Sequence, residues 1–218
     1  MLSKVKLFVC AIIIAIVTTA CSGMQSVSPS SLKRVPEATD YVKVAVVQGD
    51  AAHNPKSLGE VEKLSPYIVK GHLRDDAKQK LDAPIQGMIT YGITVSTLEI
   101  SQVYKGNLKV GDTIPLAEKY YTLEENGETT RYEMGYAPSV PGQEYVFFMV
   151  KAPDESEILR GTYSPMVKET GRYPVINTKD SGVSAIRSMS PEDLNLVNTD
   201  LSVYQKIYQE VIDKYMSE

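Results

Sequence analysis

The sequence predicts a mainly β fold of the α+β class, a small antiparallel barrel or sandwich followed by a C-terminal amphipathic helix. Short apolar and β-branched runs recur between residues 41 and 180, with glycine and proline between them. One run, Ile89 to Tyr104, is long enough for a strand that bends between two faces. After Ser190 the hydrophobic period changes from that of a strand to that of a helix.

The predicted β domain, residues 41–180, begins with a β-branched run from Val42 to Val47. Apolar residues then recur every three positions between Ser57 and Ser65, which predicts a short helix that Pro66 ends. Residues 67–73 follow as the next predicted strand.

The run from Ile89 to Tyr104 predicts one bent strand. Its apolar residues keep one parity as far as Thr97 and continue on the other parity from Leu98. A slip of one residue in a period of two predicts a β-bulge at Thr97-Leu98. Turns are predicted after it, and further short strands follow: Thr113–Leu116, Thr129–Tyr136, Gln143–Val150, Leu159–Tyr163, Met166–Glu169 and Arg172–Val175. The charged stretch from Glu118 to Glu133 predicts a solvated hairpin around Asn126-Gly127.

The C-terminal segment, residues 190–218, predicts an amphipathic helix that packs on the barrel. Ser190, Pro191 and Asp193 stand where a helix start favours a cap, a proline and an acid. A stripe at helical spacing follows: Leu201, Tyr204, Ile207, Tyr208, Val211, Ile212 and Tyr215. A partner-binding or membrane-surface stripe is the alternative, and the absence of a basic polar face disfavours it.

The N-terminus predicts a signal peptide over residues 1–20. Lys4 and Lys6 precede an apolar run from Leu7 to Val17, and small residues follow as far as Ala20. Eleven apolar residues are too few for a spanning helix, which needs roughly 20. An uncleaved anchor or a buried helix is the alternative.

The stretch from Val17 to Cys21 resembles a bacterial lipobox, although Thr18 stands where that pattern usually has Leu. The resemblance implies that Cys21 becomes an acylated N-terminus whose lipid chains hold the protein on a membrane. Ordinary cleavage after Ala20 would instead leave a free thiol. Cys10, the other cysteine, lies in the removed segment, so the free thiol would be unpaired in an oxidising compartment, which favours acylation.

Composition limits the partners of the mature chain. Removing residues 1–20 takes away two lysines and no acid, which leaves 21 basic against 27 acidic side chains and a net charge of −6. Scattered charge of this sign gives no basis for binding nucleic acid. Residues 21–40 are small and polar, and we expect a flexible tether there.

Candidate chemical groups are few. His53 and His72 are the only histidines, and His72 with Asp75 and Asp76 matches no recognised metal-ligand spacing. Ser164 to Lys168 resembles a Ser–Lys pair, but Pro165 interrupts the helix that such a pair needs. We therefore expect no catalytic residue, no metal and no cofactor.

Four segments occur in an order that resembles uncharacterised Gram-positive cell-envelope lipoproteins: "SPYIVKGHLR", "ITVSTLEISQVYKGNLKVGDTI", "GQEYVFFMVK" and "YSPMVKETGRYPV". The central element, Val103 to Ile114, is a strand, a Lys-Gly turn, a Gly-Asp turn and a strand. The resemblance covers about residues 60–176 and implies a small barrel of the oligomer-binding (OB) type. A weaker similarity is to the netrin-like barrel of metalloprotease inhibitors, whose disulfides this chain cannot form.

These observations predict a lipid-anchored protein on the extracytoplasmic face of the cell membrane that acts as a non-enzymatic binding module of the envelope. The expected partners are membrane lipid, through acylated Cys21, and an unknown envelope protein or glycan. The alternative function is an envelope hydrolase or a protease-inhibitor-like protein.

Overall fold

The computed structural model of the chain describes residues 42–47, 53–176, 184–197 and 199–217. The predicted signal peptide, the tether and Cys21 lie outside these residues. The strands are β1 Val42–Val46, β2 Tyr67–Leu73, β3 Lys78–Leu81, β4 Gly92–Lys105, β5 Thr113–Glu118, β6 Tyr120–Glu125, β7 Glu128–Glu133, β8 Glu144–Lys151, β9 Tyr163–Pro165 and β10 Arg172–Pro174. The α-helices are α1 Leu58–Leu64, α2 Ser184–Arg187 and α3 Leu201–Tyr215, and a 3₁₀ turn spans Lys168–Gly171.

Five strands close into a barrel. Around the ring the order is β2, β4, β5, β9 and β8, which pairs back with β2. All neighbouring pairs are antiparallel except β5 and β9, which are parallel. Numbered along the chain within the ring, this order is first, second, third, fifth and fourth, the order of an OB barrel. The predicted small OB-like barrel is therefore confirmed.

The barrel interior is one of two hydrophobic cores. Its buried members alternate along β2, β4, β5 and β8, as expected where one face of each strand points inward: Val69, Leu73, Leu98, Ile100, Ile114, Leu116, Tyr145, Phe147 and Met149. Gly71 is needed in β2 because a Cβ there would lie 2.2 Å from the carbonyl oxygen of Glu99 on β4.

The second core lies between the outer face of the barrel and the helices. Ile68, Val146 and Phe148 face outward from β2 and β8 toward α1 and α3. The stripe of α3 is buried there through Tyr204, Ile207, Tyr208, Val211 and Ile212. The prediction that the C-terminal helix packs on the barrel is confirmed, and the partner-binding alternative for the stripe is wrong.

Strands β6 and β7 form the predicted hairpin, and β1 pairs with β7 in parallel to complete a three-stranded sheet. Asn126 and Gly127 have φ values of 53° and 79°, as a type I′ turn requires. Glu118 and Glu133, the two ends of the stretch that was predicted to be exposed to solvent, are instead both buried.

The break predicted in the long strand lies elsewhere. The register of β4 against β2 shifts at Ser101 and at Tyr104, not at Thr97-Leu98. Alternate residues from Thr94 to Ile100 face inward without interruption. The apolar pattern suggested a bulge at Thr97-Leu98 because Ile93, which faces the opposite side of β4, is also fully buried. Ile93 lies in the half of β4 that contacts β6.

Three further predictions of local structure are wrong. Leu159–Tyr163, predicted as a strand, consists of turns as far as Gly161, and strand β9 begins only at Tyr163. Met166–Glu169, predicted as a strand, forms a tight turn that leads into the 3₁₀ turn. The C-terminal helix begins at Leu201 with Asp200 as its cap, not at Ser190. Ser190 and Asp193 do exchange capping hydrogen bonds, but the chain leaves helical geometry at Asn195, where φ is 52°.

Among the described residues, no helix has both the length and the apolar character needed to cross a bilayer.

Candidate functional site

A cavity of about 340 Å³ lies where β8 ends and β9 begins, beside the junction of β5 and β6. Its size is in the range of sites for small ligands. The apolar part of the lining comes from β8, β9 and the segments that follow them: Val150, Ala152, Pro153, Leu159, Pro165, Met166 and Val167. The polar part is His53, Lys119, Lys151, Ser164 and Lys168.

The charged side chains that line this cavity, which we call the lysine cavity, are basic. Lys119 lies between β5 and β6, Lys151 ends β8 and Lys168 begins the 3₁₀ turn, and no described Asp or Glu joins them in the lining. Within the described part of the chain, no carboxylate lies within 4.0 Å of the Lys119 ammonium. Burial, together with the nearby charge of Lys168, lowers the pKa of Lys119.

Two cavity residues have an unfavourable backbone conformation. Val167 has φ 58° and ψ 52°, and Lys168 has φ 56°, so both are in the left-handed region. This region is rare for any side chain and is an outlier for a β-branched one. Each such residue costs about 1–3 kcal/mol, and such conformations are enriched at functional sites.

Contacts within the turn hold this conformation. The Met166 amide donates to the Phe148 carbonyl at 2.7 Å, and the Thr170 hydroxyl donates to the Val167 carbonyl at 2.8 Å. Gly171 packs so closely that a Cβ would lie 2.2 Å from the Met166 carbonyl oxygen. The fold therefore fixes the turn that carries Lys168 at the edge of the cavity.

A buried carboxylate anchors the backbone at Lys119. Glu118 precedes it and points into the protein, where one carboxylate oxygen accepts hydrogen bonds from the Tyr136 hydroxyl at 2.8 Å and the Ser139 amide at 3.0 Å. Only 2 % of Glu118 is exposed. Because Lys119 follows directly, this anchor fixes the backbone from which the Lys119 side chain extends.

Lys168 has an equivalent anchor. Glu169 follows it and is fully buried, with one carboxylate oxygen accepting from the Val197 amide at 2.7 Å and from the Ala137 amide at 3.4 Å. Lys119 and Lys168 are therefore each next to a glutamate that the interior holds in place.

Arg172 lies beside Glu118 and is connected to Glu169 through Ala137, whose amide donates to Glu169. Its guanidinium lies 3.8 Å from the Glu118 carboxylate and 4.7 Å from the centre of the Tyr136 ring. It also donates to the carbonyls of Ala137 at 2.8 Å and Asn195 at 3.2 Å. Burial alone would lower the pKa of Arg172, but the surrounding Tyr and Glu side chains raise it, so the buried group stays charged.

The structure separates the residues that the sequence raised as a metal site. His72 pairs with Glu99 on β4 at 3.1 Å, and Asp76 accepts a hydrogen bond from the Thr97 amide at 2.9 Å. The Thr97 side chain and this backbone hydrogen bond lower the pKa of Asp76. Asp75 lines a different, smaller cavity. Among the described residues, no group of three or more His, Cys, Asp or Glu side chains could hold a metal ion.

Ser164 and Lys168, which the sequence suggested only as a helical pair, do line one cavity. They reach it from β9 and from the start of the 3₁₀ turn, so Pro165 does not prevent their approach. Lys119 and Lys151 were not predicted. They are separated along the chain, and no local pattern distinguishes them from surface lysines.

The fold and the site define a class of protein: a small OB-like barrel, covered on one side by helices, with an apolar cavity lined by lysines. No protein-family model matches the chain, and no curated protein matches its sequence.

Proposed function

We propose that this protein is a membrane-anchored extracytoplasmic lipoprotein whose barrel is a non-enzymatic binding module of the cell envelope. The observation that carries the proposal is the order of residues 1–21: two lysines, an apolar run, small residues and Cys21. The lysine cavity supports the binding role, because it combines apolar walls with a few convergent polar groups.

The anchor follows from the chemistry of a diacylated cysteine. Each buried methylene contributes about 0.8 kcal/mol, and two acyl chains hold a protein stably where one does not. The tether over residues 22–36 would then place the barrel about 20 Å from the lipid, as its square-root length dependence predicts. The binding module would face the envelope space.

Metabolic labelling with a fatty acid tests the anchor. We expect label on the wild-type chain and on Cys10→Ala, because Cys10 belongs to the removed segment. Cys21→Ala should carry no label, and the chain should be released or remain a precursor. Label that persists on Cys21→Ala would contradict acylation at this cysteine.

An envelope hydrolase is the second candidate function, and the shared cavity of Ser164 and Lys168 is the observation that favours it. A fluorophosphonate probe, which labels activated serine nucleophiles, separates the two functions. The binding-module proposal expects no labelling of the wild-type chain. Labelling that Ser164→Ala abolishes, with Ser156→Ala as the control, would establish the hydrolase instead.

A further inference from the structure

We propose that the lysine cavity binds a small amphipathic anion, an apolar body with one carboxylate or phosphate group, and that Lys119 and Lys168 hold the charged group. This inference deepens the binding role and rests on the proposed function for its setting in the envelope. The class of ligand follows from three features of the cavity, which are its charge, its walls and its rigidity.

The positive charge of the cavity favours an anionic ligand. Lys119 is partly buried, repelled by Lys168 and without a carboxylate within ion-pair distance in the described chain. Burial and the neighbouring charge disfavour the charged form of Lys119, and an anion bound beside its ammonium group would favour it. Lysine acts as a point charge without the fork geometry of arginine, so a carboxylate and a phosphate both suit it.

The apolar walls of the cavity favour a ligand with an apolar part. Seven of the lining residues are aliphatic, proline or methionine, and they form a surface that extends from the end of β8 to the turn at Met166 and Val167. A bare inorganic ion would leave this surface in contact with water. A ligand that covers it removes this apolar area from water, which favours binding.

The rigidity of the site favours tight binding of one class of ligand. Glu118 and Glu169 fix the backbone on which Lys119 and Lys168 stand. The Arg172 guanidinium lies 3.8 Å from Glu118 and donates to the carbonyl of Ala137, whose amide donates to Glu169. A site arranged in advance loses less free energy when its ligand binds. The strained conformation of Val167 and Lys168 is consistent with a turn shaped for binding.

Four probes test the ligand class on the full-length chain in phosphatidylcholine nanodiscs. Phenyl phosphate and benzoate carry an apolar body and a charge, benzyl alcohol has the body alone, and inorganic phosphate has the charge alone. The readout is the ¹³C-methyl signal of Met166, which lines the cavity, with the exposed Met88 as an internal control.

We expect both organic anions to shift the Met166 signal saturably, whichever anionic group they carry. Benzyl alcohol and inorganic phosphate should bind at least about tenfold more weakly, because each lacks one half of the interaction. Equal affinity for benzyl alcohol would show a purely apolar cavity, and equal affinity for inorganic phosphate would show a bare anion site. Either result, or no saturable shift from any probe, overturns the inference.

The variant Lys119→Gln/Lys168→Gln should lose at least about tenfold in affinity for both organic anions, because it removes the charge-assisted hydrogen bonds to the anionic group. The matched control is Lys78→Gln/Lys80→Gln, two exposed lysines on β3, which should bind as the wild type does. Unchanged Met149 and Met189 signals, one from each core, show that a variant is folded.

Affinity that survives in the folded Lys119→Gln/Lys168→Gln variant contradicts the inference. The test is separate from the test of anchoring, because the cavity titration does not depend on acylation of Cys21. A chain that binds these anions but carries no acyl group would refute the proposed location and leave the ligand class standing.

Discussion

At the scale of single residues, the outer core contains one polar atom that its surroundings do not satisfy. The Tyr173 hydroxyl is buried and has no hydrogen-bond partner among the described residues. Its ring stacks on Tyr204, with centroids 4.9 Å apart. The Tyr204 hydroxyl differs, because it donates to the Arg172 carbonyl at 2.7 Å. The two tyrosines therefore provide a matched pair.

We predict that Tyr173→Phe leaves the protein at least as stable as the wild type, because the change removes a buried group that gains no hydrogen bond. Tyr204→Phe should lower the free energy of unfolding by about 1 kcal/mol, since it breaks one hydrogen bond and leaves a buried carbonyl with one donor fewer. Urea denaturation of the three chains measures both effects. A larger loss for Tyr173→Phe than for Tyr204→Phe would contradict this description of the core.

The sequence predicted the apolar residues of this core, but it did not predict the burial of the charged residues Glu118 and Arg172. Tyr204, Tyr208 and Val211 were predictable because helical period marks a buried stripe. Glu118 was predicted to be solvated because its neighbours along the chain are polar. Its burial depends on Arg172, which meets it only after the barrel has closed, and no local pattern carries that information.

At the scale of elements, β4 is one strand that joins two parts of the barrel. It pairs with β5 along Thr94 to Glu99 without a break, and its register against β2 shifts by one residue at Ser101. A bulge leaves the extra residue out of the ladder.

We predict that the Ser101 amide exchanges with solvent faster than the amides of Thr97 and Leu98, which lie in the uninterrupted part of the strand. Hydrogen exchange followed by NMR measures the difference directly. Strong protection at Ser101 together with fast exchange at Thr97-Leu98 would restore the position of the bulge that the sequence suggested.

Helix α3 covers the barrel and contributes to stability. We predict that Val211→Asp lowers the free energy of unfolding by at least about 3 kcal/mol, because it buries a charge without a partner. Lys206→Asp places the same side chain on the exposed face of the helix and is the control, with an expected change below about 1 kcal/mol. Equal melting temperatures for the two variants would mean that burial of Val211 against the barrel does not contribute to the stability of the protein.

The existence of α3 was predictable and its first residue was not. Ser190 and Asp193 carry the correct residue types and do form the capping hydrogen bonds. A single turn cannot continue as a helix without burial of an apolar face, and the regular stripe begins only at Leu201. The cap at Asp200, whose carboxylate accepts from the amides of Ser202 and Val203, lies where that stripe starts.

At the scale of the whole molecule, the two cores share a wall. Neighbouring residues of β2 and β8 face opposite sides, so Ile68 and Phe148 belong to the outer core while Val69 and Phe147 belong to the barrel interior. Neither core can lose its packing without disturbing strands that the other core needs. The barrel and its helical cover should therefore unfold together.

We predict one cooperative unfolding transition. Met149 lies in the barrel interior and Met189 in the outer core, so their ¹³C-methyl signals report the two cores separately. Both should disappear at the same urea concentration, as two-state unfolding requires. Loss of the Met189 signal well before the Met149 signal would show that the barrel is stable without its cover.

The barrel class was predictable because short strands, turn residues and a change of period are local features. The ring order could be inferred only by resemblance, and the lysine cavity not at all. Lys119, Lys151 and Lys168 come from three separate segments that meet only after β9 pairs with both β5 and β8. Contacts of this kind form only when the barrel closes, so no local sequence pattern predicts them.

The most direct test of the account is native mass spectrometry of the chain purified from membranes in a mild non-ionic detergent. The central claim is that the lysine cavity is the binding site. We predict that the wild-type chain and Lys78→Gln/Lys80→Gln retain a small anionic molecule, and that Lys119→Gln/Lys168→Gln does not. A wild-type chain without a bound molecule, or the same molecule at the same occupancy on Lys119→Gln/Lys168→Gln, would contradict the claim.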